Sequence, residues 1–116
     1  MAFTFTNNSA TIDTSEFSLP GNTSSGVPTS QTTDGIYQFF IDFGAMTVTE
    51  SYRVRLYEKC DSGGTQRKVA EWVLTGAQAD PMFVTPSFML GEGWDCTVLK
   101  LAGTARSIPW SIRKVS

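Results

Sequence analysis

The chemistry open to this sequence is narrowed by one absence: none of its 116 residues is histidine. Ser-His-Asp and Cys-His nucleophiles, histidine metal sites and the commonest general base are therefore excluded. No G-x-S-x-G elbow, phosphate-binding Gly-Lys loop or dinucleotide fingerprint occurs. What survives is carboxylate chemistry, with Asp42, Glu50, Glu58, Glu71, Asp80, Glu92 and Asp95 as the acids that could pair. Asp42, inside Phe-Phe-Ile-Asp-Phe, stands out because an acid within an apolar strand needs a partner. Its plainer reading is a strand-end acid bonded to a loop amide or an arginine. The two cysteines, Cys60 and Cys96, are too few for a disulfide framework and lack zinc-ligand spacing. They are expected as free, buried thiols, a single bridge being the alternative. The expectation is a protein that is not an enzyme and holds neither cofactor nor metal.

Two other groups suit binding. Arg53, Arg55, Tyr57 and Lys59 alternate with Tyr52, Val54, Leu56 and Glu58, which sets a basic stripe with one aromatic on one face of a strand. Such a stripe could grip phosphates or an acidic protein surface; it is equally the solvated face of a half-buried strand. Phe3 and Phe5 alternate with Thr4 and Thr6. They belong either to the first strand of the main body or to an arm that pairs with a neighbouring chain's sheet edge. Phe3, Phe5, Arg53, Arg55 and Tyr57 are thus the candidate protein-interface residues.

The elements that must position these residues are strands. Charged residues make up 17% of the chain, below the ~25% of an average soluble protein, and Thr, Ser and Gly fill the gap. Ile36–Phe43 reads as a central strand apolar on both sides, with Tyr37, Phe39, Ile41 and Phe43 on one face and Ile36 and Phe40 on the other. Asp61-Ser62-Gly63-Gly64-Thr65 marks a hairpin turn, returning through Arg67–Leu74. Met82–Leu90, the stretch after Trp94, and Ile108–Ile112 follow, with Pro86 and Pro109 each suggesting an edge or bulge. About eight short strands predict one antiparallel β-sandwich, jelly-roll-like, with a core anchored by Trp72, Trp94, Trp110, Phe39, Phe43 and Phe88. Residues 1–35 read as an N-terminal strand or arm followed by a Ser/Thr/Gly-rich loop, and residues 36–116 as the sandwich body, in one domain overall.

The formal net charge of −2 provides no global basic field for nucleic acid, so no specific nucleic-acid partner is expected. No signal peptide is legible and no apolar run approaches the ~20 residues of a membrane span, so no membrane partner is expected either.

The sequence also resembles a group of proteins. Thr33-Asp34-Gly35-Ile36-Tyr37-Gln38, Phe40-Ile41-Asp42, Tyr57-Glu58-Lys59, Gly64-Thr65-Gln66-Arg67, Gly93-Trp94-Asp95-Cys96-Thr97, Ala102-Gly103-Thr104-Ala105-Arg106-Ser107 and Trp110-Ser111-Ile112-Arg113 resemble small virion structural proteins of tailed bacteriophages. The resemblance implies a head-associated role of the cement or decoration type. The protein would bind the major capsid protein lattice as a homodimer or homotrimer, on the capsid surface of a virion assembled in the host cytoplasm. A tail or head–tail connector subunit is the alternative. A carbohydrate-binding sandwich is another, with Trp72, Trp94 or Trp110 as a sugar platform.

Overall fold

The computed structural model describes residues 3–115. They form nine strands and no helix: β1 (Phe3–Ile12), β2 (Phe17–Ser18), β3 (Gly35–Asp42), β4 (Ser51–Glu58), β5 (Arg67–Thr75), β6 (Met82–Val84), β7 (Phe88–Leu90), β8 (Asp95–Ala102) and β9 (Arg106–Val115). Sheet A runs β1-β9-β3-β6, with β7 also on β3; sheet B runs β2-β8-β4-β5. Every pairing is antiparallel.

β6 and β7 are one strand broken in the middle. They lie end to end along β3, where Ile41 meets Phe83 and Ile36 meets Met89, a register slip of one residue. Pro86 sits in the break and cannot donate to a ladder. Thr85 bridges it: its amide donates to the Phe39 carbonyl and its Oγ1 accepts from the Phe39 amide, each at 3.0 Å. Counted as one, β6 and β7 leave the eight strands that the sequence predicts. First then pairs with last, second with second-last, third with sixth, and fourth with fifth. This is a long antiparallel ribbon, rolled so that β3 also joins β9 and β4 joins β8, which is the jelly-roll arrangement.

The inner faces follow the period-two pattern. Tyr37, Phe39 and Ile41 of β3, Tyr52, Val54 and Leu56 of β4, Cys96 and Val98 of β8, and Ile108, Trp110 and Ile112 of β9 are all buried in one core. Trp94 and Phe43 join them, while Trp72 and Phe88 pack against the core partly buried. Each such burial stabilises by about 1.5–3 kcal/mol before entropy is charged against it.

Several expectations need correction. The described part of 1–35 is no detached arm. β1 pairs with β9 from Phe3↔Val115 to Ile12↔Arg106, and β2 pairs with β8. Beyond Leu19, which is buried in the core, the loop after β2 is fastened by polar bonds: Gln31 and Trp94 exchange backbone bonds at 2.8 and 2.9 Å, and the Thr29 amide donates to Asp95 Oδ2 at 2.8 Å. Pro109 is not on an edge strand, since β9 lies between β1 and β3. It is tolerated because the β3 ladder ends one residue earlier, at Trp110. Cys96 is buried and free, and its burial raises the thiol pKa; Cys60 is free but exposed.

Two buried carboxylates tie the ends of the roll. Asp95 accepts from Ser18 Oγ at 2.8 Å, the Cys96 amide at 2.9 Å and the Thr29 amide. Burial pushes its carboxyl pKa up, and those donors pull it back. Glu50 accepts from Arg106 Nε at 2.9 Å, the Thr49 hydroxyl and the Thr47 amide. The Arg106 guanidinium, then Thr49 and Thr47, hold its carboxyl far below the ordinary 4.5.

Replacing Asp95 by Ala strands three donors and is expected to cost about 2–3 kcal/mol in urea unfolding, with new proteolytic cleavage in 20–34. Glu50 gives a pH signature. Its folded pKa is depressed, so its contribution is complete above the unfolded value and is lost as pH falls towards the folded one. Unfolding midpoints should decline below about pH 4.5, and Glu50→Gln should flatten that decline.

Candidate functional site

In a twisted antiparallel sheet, side chains at paired positions stand side by side on one face. The registers of sheet A place Phe3 beside Val115, Val115 beside Ile36, and Ile36 beside Met89. This is an apolar row crossing β1, β9, β3 and β7 on the side away from the core. Three of its members are open to solvent, Phe3 at 64% exposed, Ile36 at 43% and Met89 at 82%, and Val115 between them is partly buried. The next position along holds Phe5, Arg113 and Gln38; the one after holds Asn7, Ser111, Phe40 and Val84.

Arg113 organises the centre of this face. Its guanidinium lies 3.7 Å from the Phe40 ring centroid and 5.0 Å from that of Phe5. Phe5 in turn meets Phe3 edge-on, centroids 6.3 Å apart. None of the ion pairs among the described residues involves Arg113. The cation is held by aromatic faces, which attract it by about 0.5–1 kcal/mol at exposed sites. Phe3, Phe5, Ile36, Phe40 and Arg113 rim a shallow depression of about 370 Å³. A second, of about 190 Å³, lies between Phe40, Met82, Pro109 and Arg113.

The other sequence candidates lie elsewhere. Arg53 and Arg55 are on β4 in sheet B, so the two groups of candidates occupy different sheets and form no common site. Arg55 pairs with Glu71 across the β4–β5 ladder, and Lys68 reaches the same carboxylate at 3.5 Å. The Arg55 guanidinium, placed next to it, lowers the Glu71 pKa. Tyr57 is 9% exposed, which leaves little of it to offer a partner. It follows Arg55 on the strand but is covered: its hydroxyl donates to Glu16 Oε2 at 2.8 Å, where Thr97 also donates. Its hydroxyl pKa is raised, mainly by burial. Arg55 and Tyr57 of the basic stripe are thus engaged within the chain, whereas no ion pair among the described residues involves Arg53 or Lys59.

The acids occupy separate structural roles. Asp42 takes the plainer of its two readings, accepting from the Gly44 amide at 2.8 Å as β3 ends. Glu58 accepts from the Gly91 amide at 2.9 Å. Among the described residues, no three Cys, Asp or Glu side chains converge as metal ligands would. Trp94 and Trp110 are buried and cannot present a sugar platform; Trp72 is half-buried, its ring 5.4 Å from that of Phe83.

Val115, Met89 and Arg113 complete the outer face but are not candidates on sequence alone. Their neighbours come from strands at opposite ends of the chain, and only the register joins them. The available signal was the second apolar face of β3, Ile36 and Phe40.

The sequence matches no family model and no curated protein. Among solved structures, the crystal structure of PirA is similar over 92% of this chain and 90% of its own, with 10% identity and a TM-score of 0.51. The structure of Eiger TNF from S. frugiperda aligns over 95% of this chain and 85% of its own, at 12% identity and a TM-score of 0.42. At such identities, the PirA likeness bears on the fold alone.

The outer face of sheet A should contribute little to folding. Phe5→Ala is expected to cost under about 1 kcal/mol in urea unfolding, against about 3–5 kcal/mol for Phe39→Ala on the inner face of the same sheet.

Proposed function

We propose that this chain is a structural protein of a tailed-phage virion, a capsid cement or decoration protein that seats the outer face of sheet A on the major capsid protein lattice. The observation that carries this reading is the apolar row Phe3–Val115–Ile36–Met89, backed by Arg113 on its aromatic bed. A contiguous apolar face left in water marks an interaction site. Aromatic residues, Met and Arg are the types enriched at protein–protein contacts, and Trp, Tyr and Arg at their energetic centres. The resemblance of the sequence to phage virion proteins supplies the partner.

The physical demands of the role are modest. A lattice offers the same site many times, so if copies are linked, each contact can be weak and still hold through avidity. The rolled sandwich provides a rigid backing, and the interface needs no reaction and no cofactor.

The experiment is a decoration assay on capsids purified without this chain. Wild-type protein should coat them evenly. Phe3→Ser/Phe5→Ser combined with Met89→Lys should reduce occupancy at least about tenfold, while Arg53→Ala/Arg55→Ala on sheet B should bind as wild type. Equal binding by the sheet A variant would overturn the reading. Binding confined to one vertex or to tails would assign the chain to a connector or tail part instead.

A further inference from the structure

The two sheets have four edges, and three of them are protected against pairing with another chain. β6 and β7 are short pieces separated at Pro86. β2 is two residues long. β5 carries Arg67, Lys68 and Glu71, and its register against β4 shifts at Leu56/Tyr57, leaving Val69 without a partner. Short strands, charges, bulges and proline are the usual means of blocking an edge.

β1 has none of these. It is ten residues long, Phe-Thr-Phe-Thr-Asn-Asn-Ser-Ala-Thr-Ile, with no charge and no proline. Its register against β9 is unbroken from end to end. β9 occupies one side of it, and no strand among the described residues occupies the other. From Phe3 to Ser9 every residue is exposed. An uncharged, unbroken edge of this length leaves a row of backbone donors and acceptors facing solvent.

We propose that β1 pairs with β1 of a second copy across a two-fold axis, joining the two A sheets into one. Three features favour a second copy as the occupant. A two-fold axis normal to the sheet sets β1 antiparallel to itself, the pairing used throughout this fold. The strand carries no charge, so two chains of net charge −2 meet where neither repels the other. The pairing also consumes the open edge of both partners, so assembly stops at a dimer and does not proceed to a trimer or a fibre.

The pleat restricts the register. Phe3, Phe5, Asn7, Ser9 and Thr11 share the outer side of β1, so residues from this set must lie opposite one another. The register that pairs all five of them is centred on Asn7, with Asn7 facing its own copy, Phe5 facing Ser9 and Phe3 facing Thr11. Both outer faces then lie on the same side, forming one continuous apolar surface. The dimer itself does not depend on what that surface binds.

Sedimentation and light scattering across a concentration series should show a monomer–dimer equilibrium for the purified chain. Asn7→Lys/Ser9→Lys sets like charges across the join and should raise the dimer dissociation constant by roughly tenfold or more, with an unchanged far-UV spectrum. Val69→Lys on β5 should leave it unchanged. Hydrogen exchange of the wild type provides a second readout that no variant's folding can confound: β1 amides should gain protection as concentration rises. A chain that stays monomeric at its highest soluble concentration, a trimer, a dimer indifferent to the lysines, or protection arising on another edge would each overturn the proposal.

Discussion

Sheet A carries large apolar side chains on both faces, and sheet B can cover only one of them. Along β3, Tyr37, Phe39 and Ile41 are buried in the core, while Ile36 and Phe40 turn the other way. A half-buried antiparallel sheet ordinarily alternates apolar inside with polar outside. Here β1, β9 and β7 add Phe3, Val115 and Met89 to the side that should be polar. The rest of the molecule is a roll that leaves this second face open to solvent.

Sheet B shows the contrast. Several of its polar and charged side chains are engaged within the chain. Arg55 is tied to Glu71, Tyr57 to Glu16, and Asp95 to Ser18 and Thr29. The loop that closes over this end is held by hydrogen bonds to Asp95, Trp94 and Gln66. Satisfied polar groups rigidify a surface and are not free for a partner. On sheet A the opposite holds. Arg113 has aromatic neighbours, one long hydrogen bond to Ser111 Oγ at 3.4 Å and no counter-ion among the described residues.

Much of the fold was legible because period two is a strong signal. The alternation from Tyr52 to Leu56 and from Ile108 to Ile112 named the core residues, and the two-sided pattern of Ile36–Phe43 announced the apolar outer face. The division at residue 35 misled, because the polar stretch before it is ordered by Asp95 and Trp94, whose positions in space no local pattern reveals. Tyr57 was placed correctly on the face of Arg55, but its cover, Glu16, comes from a distant part of the chain. Pro109 suggested an edge because sequence does not show where a neighbouring ladder stops. The candidate surface is half visible: Phe3 and Phe5 alternate in sequence, whereas Val115, Met89 and Arg113 join them only through registers between strands far apart in sequence.

The central claim is that the outer face of sheet A is the binding surface. The most direct measurement is an electron cryo-microscopy map of particles carrying this chain, at a resolution that separates the two sheets. The account predicts that sheet A faces the capsid lattice, with Phe3, Ile36 and Met89 excluded from solvent and Arg113 against an acidic or carbonyl group. A map in which sheet B or the 20–34 loop makes the contact, with the sheet A face left in solvent, would contradict it.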